Sequence, residues 1–329
     1  MHIRILLLSL AITLGMLWPQ MAMAQGKKLK VVTSFSILED MTRNIGQDLI
    51  ELHNIVGPNT DMHAFELRPQ DIETLASADI FIVNGLGFEP WAGRLIKSAN
   101  FKGTVVTASR LSRKLQPIEP QDNKAKTMDE YVNQGKNLPN ETDSGEHDHD
   151  HGNVDPHAWH NLNNAKLYVA NISDALAKAD PKHADFYATN ERRYRKELTD
   201  LQSWASREVQ KFSESKRWIV TNHDGLQYLA RAYRIRYVNV IGSGHGDSPS
   251  AQKLAEVIQL IKSKNIRAIF YENVTDNRSL DQIAQETGTK VQGVLYTDAL
   301  SQNGEKANNF INLYKHNIDA ILAAWKPEV

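Results

Sequence analysis

Short apolar runs and longer amphipathic stretches alternate along this chain. LKVVTSF (Leu29–Phe35) and LIELHNIV (Leu49–Val56) are largely apolar, and DIFIVNG (Asp79–Gly85) and GTVVTA (Gly103–Ala108) complete a first set. Between them, Pro69–Ala78 and Gly87–Asn100 repeat apolar residues at helical spacing. A second set follows: RWIVT (Arg217–Thr221), RYVNV (Arg236–Val240), RAIFYE (Arg267–Glu272) and KVQGVLY (Lys290–Tyr296). Helical stretches again separate these, among them Ser250–Lys264 and Ser279–Thr287. Strands spaced by helices imply βαβ units and parallel sheets. The pattern therefore predicts an α/β protein of two similar lobes.

Pro181–Ser213 breaks this rhythm. Phe186, Tyr194, Leu198, Leu201, Ala205, Val209 and Phe212 fall near helical spacing, with no internal Gly or Pro. A helix of about 30 residues is about 45 Å long, which suits a strut lying along both lobes. Arg110–Asp150 is polar and aperiodic, which predicts a mobile loop. The expected division is a leader over 1–24, then an N-terminal lobe over 25–180 that includes a histidine-rich loop at about 112–152. A linking helix over 181–214 and a C-terminal lobe over 215–329 complete it.

The leader bears on where the chain works. His2 and Arg4 precede an apolar run from Ile5 to Trp18, and Ala22-Met23-Ala24 is a small-x-small cleavage signal. About 14 apolar residues are too few to span a bilayer comfortably. They predict a cleaved secretory signal and a periplasmic protein. The chain has no cysteine, so the expectation is a soluble protein without a lipid anchor. The same absence excludes disulfides and thiolate metal sites, leaving His, Asp, Glu or carbonyl oxygen for a metal. Lys+Arg and Asp+Glu total 38 and 39, a balance that does not suggest nucleic acid as a partner.

Candidate chemistry gathers in loops. His63 in GPNTDMHAFE follows the second strand, His223 in VTNHDG follows RWIVT, and Asp298 in LYTDAL follows KVQGVLY. His157 in DPHAW ends the polar loop. Two come from each lobe, and ligands of α/β folds sit beyond strand ends, so together they could close an interlobe site. Singly each has a plainer reading: a loop histidine is usually solvated, and Asp298 suits a helix N-cap.

The segments VVTSFSILEDM, VGPNTDMHAFE, VNGLGFEPW, DPHAWHNLNNAKLYVANI, TNHDGLQYLARAY, FYENVTDNRSLDQIAQETG and LYTDALS occur in this order. They resemble the zinc/manganese class of solute-binding proteins of ABC importers (ZnuA/TroA-like), and within it the AztC-type zinc-binding proteins. The resemblance spans essentially the whole chain after the leader. It implies two α/β lobes joined by one rigid helix, with His63, His157, His223 and Asp298 as metal ligands in the cleft. It also implies an inner-membrane permease as partner, a periplasmic zinc chaperone as a second candidate partner, a monomeric state, and binding without turnover.

Three imidazoles and one carboxylate favour Zn2+. Mn2+ prefers more oxygen, and the related manganese binders commonly carry a carboxylate where His223 stands. Glu66 and Glu272 are candidates to orient the imidazoles. His147, His149 and His151 alternate with acids and are candidate auxiliary metal collectors. His160 is a further auxiliary candidate whose spacing assigns it no role, and His245 in SGHGDSPS has none either. His223 is followed by Asp-Gly-Leu, where the family commonly has an aromatic. Glu66-Leu67-Arg68-Pro69 replaces the family's Glu-Pro-Thr-Pro. The competing classes are a manganese importer component, a stand-alone zinc buffer and a zinc hydrolase. For the last, neither HExxH nor GxSxG is present, and Asp298 fills the position that a catalytic zinc keeps open.

Overall fold

The computed structural model describes residues 27–62, 64–110, 154–241 and 249–327. The leader, His63, the histidines at 147, 149 and 151, and His245 lie outside the described residues. In the N-terminal lobe, β1 (Leu29–Phe35), β2 (Ile50–Val56), β3 (Ile80–Val83) and β4 (Thr104–Thr107) form one parallel sheet. Its order is β2-β1-β3-β4. All four residues of β3 are buried, as befits an interior strand of a parallel sheet covered by helices. Three helices accompany the sheet: α1 (Ser36–Gly46), α2 (Pro69–Ala76) and α3 (Ala92–Ser98). Pro69 opens α2, where the missing N–H costs nothing, and the Arg68 N–H donates to Asp71 Oδ2 at 2.8 Å.

In the C-terminal lobe, β5 (Trp218–Thr221) pairs in parallel with β6 (Arg236–Asn239), and β7 (Tyr271–Glu272) with β8 (Val294–Leu295). A bridge from Val220 to Ile269 joins the two pairs, and the Phe270 N–H donates to the Val220 carbonyl at 2.9 Å. The strands thus run β6-β5-β7-β8, the N-terminal order repeated. Each lobe has its topological switch point beside its first strand, the place where open α/β sheets hold ligands. β7 and β8 are shorter than the predicted Arg267–Glu272 and Lys290–Tyr296. Ile269 is held by Val220 and by the Gln292 N–H, and Gly293 at φ +140° interrupts the extended run. Helices α6 (Gln227–Tyr233), α7 (Ala251–Lys264) and α8 (Arg278–Thr287) complete this lobe.

The lobes are held together by α4 (Leu162–Ala179), α5 (Ala184–Gln210) and α9 (Phe310–Trp325). α5 has 27 residues and runs about 40 Å. Tyr187, Asn190, Tyr194, Leu198, Leu201, Ala205 and Val209 are buried along it, a spacing of three and four that collects them on one face. Phe186, predicted on that face, is 38% exposed, and Tyr187 is buried beside it. α5 packs against α1 and α4 of the first lobe and α9 of the second. Asp40 on α1 accepts from the Tyr194 hydroxyl at 3.1 Å and from the Phe310 N–H at 3.0 Å. One carboxylate thereby ties both lobes and the strut. The main apolar core runs unbroken from Val31 to Trp325, while a smaller cluster around Val220, Val257, Ile261 and Ile283 serves the C-terminal lobe. Among the described residues, no helix is long and apolar enough to cross a membrane.

Leu198→Ala should lower the unfolding free energy by about 2–5 kcal/mol, and Arg192→Ala on the exposed face should leave it unchanged. Equilibrium denaturation of the metal-free protein measures both.

Candidate metal centre

β5 ends at Thr221 and the chain turns at once through Asn222, His223, Asp224 and Gly225. The Thr221 hydroxyl donates to the His223 carbonyl at 2.9 Å. Gly225 is dictated by close approach: a Cβ there would lie 2.5 Å from Cε1 of His223 and 3.1 Å from Cβ of Thr297. Asp298 follows β8 in the same way. His157 precedes a single helical turn, Ala158–His160, and is placed by Asp155, whose Oδ1 accepts the His157 N–H at 2.9 Å. This is an Asx turn with proline at its centre. From the end of β3, the Asn84 side chain donates to the Pro156 carbonyl at 3.0 Å. Asn84 is itself held by Glu89, which accepts its N–H at 2.6 Å and the Ser34 hydroxyl at 2.6 Å.

Three side chains from these loops meet. His157 Nε2 lies 3.3 Å from His223 Nε2 and 3.3 Å from Asp298 Oδ1, and His223 Nε2 lies 3.6 Å from Asp298 Oδ2. All three residues are buried, and among the described residues they are the one group of His, Asp or Glu with metal-ligand spacing. A tetrahedral dication with ligands at about 2.0–2.1 Å holds their atoms about 3.3–3.4 Å apart. The triangle therefore has the size such an ion needs. The outer nitrogens are also committed: His157 Nδ1 lies 2.7 Å from Asp155 Oδ1, and His223 Nδ1 pairs with Glu272 Oε2. Glu272 Oε1 accepts the His223 N–H at 2.9 Å as well. A carboxylate behind each imidazole fixes the ring, turns Nε2 inward and raises its basicity.

Phe88 and Trp159 wall the His157 ring at centroid distances of 5.8 and 5.4 Å. This burial disfavours a charged imidazole, but the carboxylates outweigh it. Asp298 and Asp155 hold His157 well above the usual histidine range, and Glu272 and Asp298 raise His223 to about 8. In the metal-free protein, protons on the imidazoles balance the buried carboxylates.

The remaining predicted residues fall in different places. Glu272 is buried against His223, whereas Glu66 is exposed ahead of α2. His160 is fully buried, and its Nε2 lies 3.0 Å from the Thr297 carbonyl, which the Trp159 indole N–H also reaches at 3.3 Å. Burial lowers His160 to about 3; the ring is neutral and fastens the Asp298 loop to the helical turn after His157. Asp155, Asn84 and Gly225 were not foreseen. Asp155 carried a readable signal, because an aspartate two residues before a histidine, across a proline, can close an Asx turn onto it.

Comparison with known proteins places this arrangement. The model of the family described as ZnuA, zinc-uptake complex component A, periplasmic, matches residues 31–324. The metal ABC transporter substrate-binding lipoprotein FimA of Streptococcus parasanguinis is 30% identical over 324 residues, 95% of this chain and 96% of its own. The manganese-binding lipoprotein MntA of Halalkalibacterium halodurans is 29% identical over 91% of this chain and 89% of its own. The Mn-bound periplasmic metal binding protein from Candidatus Liberibacter asiaticus superposes with a TM-score of 0.74 at 27% identity, covering 91% of this chain and 100% of that one. FimA and MntA are named lipoproteins, which overturns the expectation of a soluble, unanchored periplasmic protein. That expectation rested on the leader, which lies outside the described residues. The family consists of solute-binding components rather than enzymes, and an ABC importer supplies a membrane permease as partner. Since the matched span begins in β1 and ends in α9, it takes in both lobes and the strut, and the chain belongs to the ZnuA family as a metal-binding, substrate-binding component of an ABC importer.

Proposed function

We propose that this protein captures Zn2+ as cargo, with His157, His223, Asp298 and His63 as ligands, and hands it to the permease. The observation that carries this reading is the buried triangle of two imidazole nitrogens and a carboxylate at 3.3–3.6 Å, each imidazole backed by its own carboxylate. With His63 the donor set is three imidazoles and one carboxylate, which suits zinc. The manganese reading has its own support in MntA, but an oxygen-poor set is unfavourable for Mn2+. The unbroken core and the strut favour a small ordering of ligand loops over wide closure of the lobes.

Alanine at His157 or His223 should weaken zinc binding about a hundred-fold or more. In competition calorimetry the wild-type protein should prefer zinc to manganese by a similar factor. Equally tight binding of both metals would remove the zinc assignment.

Binding requires neutral imidazoles, so metal must displace the protons that His157 and His223 hold. At pH 7 close to two protons should leave per ion, measured by calorimetry in buffers of different ionisation enthalpy. Affinity should climb with pH and level off above about 8, the value to which His223 is raised. The metal-free fold behaves oppositely. A raised histidine stabilises it below the ordinary value of 6.5 and loses that contribution as pH rises through about 8. Its melting temperature should therefore fall across that window.

Gly225→Ala should push the His223 ring off its position and cost about ten-fold or more in zinc affinity. Its far-ultraviolet circular dichroism should match that of the wild type.

A further inference from the structure

We infer that Asn273 is the positioning residue that couples the loop leading to His63 with the loop carrying Asp298, and that this coupling sets how slowly metal leaves. The inference rests on reading the buried triangle as the metal centre. Asn273 follows Glu272, the residue that holds His223, and its own N–H donates to the Leu295 carbonyl at 3.1 Å. Its side-chain amide then works in two directions. Oδ1 accepts the N–H of Thr297, next to Asp298, at 3.3 Å, and Nδ2 donates to the Ala299 carbonyl at 3.2 Å. Nδ2 also donates across the lobes to Oδ1 of Asn59 at 3.3 Å.

Asn59 lies four residues before His63, at φ +51°, a left-handed conformation that asparagine tolerates and most residues resist. That turn also aims the Asn59 N–H at the Leu300 carbonyl, at 2.8 Å. One amide group thus touches the loops after β2 and after β8, and its backbone continues from the residue behind His223. Such use needs a donor and an acceptor on one planar group, which asparagine has and aspartate or leucine lacks. A residue that only finished β7 would have no need of either. Asn59 is exposed, and the contact borders an open groove lined by Tyr271, Asn277, Tyr296 and Lys306. The clasp can therefore open to solvent while the core beneath stays packed.

The test is release of bound Zn2+ to excess chelator, followed by stopped flow, with stoichiometry and the metal-free melting temperature measured alongside. Asn273→Ala should keep one zinc per chain and an unchanged metal-free melting temperature, yet release zinc about ten-fold faster. Asn59→Ala should do the same. Asn59→Asp, which retains the acceptor and tolerates the turn, should stay close to wild type. The double alanine variant should be no faster than either single, because both remove one interaction. Release from Asn273→Ala within about two-fold of wild type, or multiplied effects in the double variant, would overturn the coupling. His223→Ala separates the two claims. Tight zinc binding in that variant removes the metal-centre reading itself, whereas its loss together with an unaltered Asn273→Ala removes only this inference.

Discussion

Three carboxylates and two imidazoles are buried together where the lobes meet, and the rest of the molecule is arranged around keeping them there. Asp155, Glu272 and Asp298 are each 4% exposed or less, and ionised carboxylates are costly to bury without compensating charge. Compensation comes from protons on His157 and His223 or, on the proposed reading, from a divalent ion. Each alternative demands that the rings face inward with their outer nitrogens fixed. The Asx turn at Asp155, the close approach at Gly225 and the pairing of His223 with Glu272 all meet that demand. The walls formed by Phe88 and Trp159 make it stricter, because they exclude the water that would otherwise share the charge.

The scaffold explains why such a site is stable. Both lobes repeat one strand order, so each delivers loops to the same side, and the site forms where the two sets of loops meet. α5 and the carboxylate of Asp40 then fix the distance between the lobes. His160 contributes from behind. Its neutral ring spends its hydrogen bond on Thr297 and so anchors the loop that presents Asp298. A histidine that resembled a ligand by spacing is a fastener by position.

Much of this was legible in the chain. The alternation of apolar runs and helical stretches announced two α/β lobes, and the unbroken amphipathic pattern announced the strut. Histidine or aspartate directly after a strand marked His223 and Asp298. The failures have physical causes. β7 and β8 shrank because Gly293 leaves the extended region, a conformation that apolar periodicity does not record. Phe186 and Tyr187 exchanged roles because adjacent aromatics fit a helical stripe almost equally well. Asn84 and Asn273 escaped notice because their partners lie many residues away, so no local pattern distinguishes them from ordinary loop asparagines. Whether His160 faced the centre depended on the turn after His157, which spacing alone does not define.

The protonation of the two histidines has a consequence for the importer. Near neutral pH the metal-free centre holds two imidazolium charges against three carboxylates. The loaded centre would hold a dication against the same three, so the balance is minus one either way. Loading is then an isoelectric exchange, and the far field of the protein is nearly the same full or empty. A permease sampling that field from a distance would meet two indistinguishable molecules. Discrimination must come at contact range, from the shape of the loops around the site.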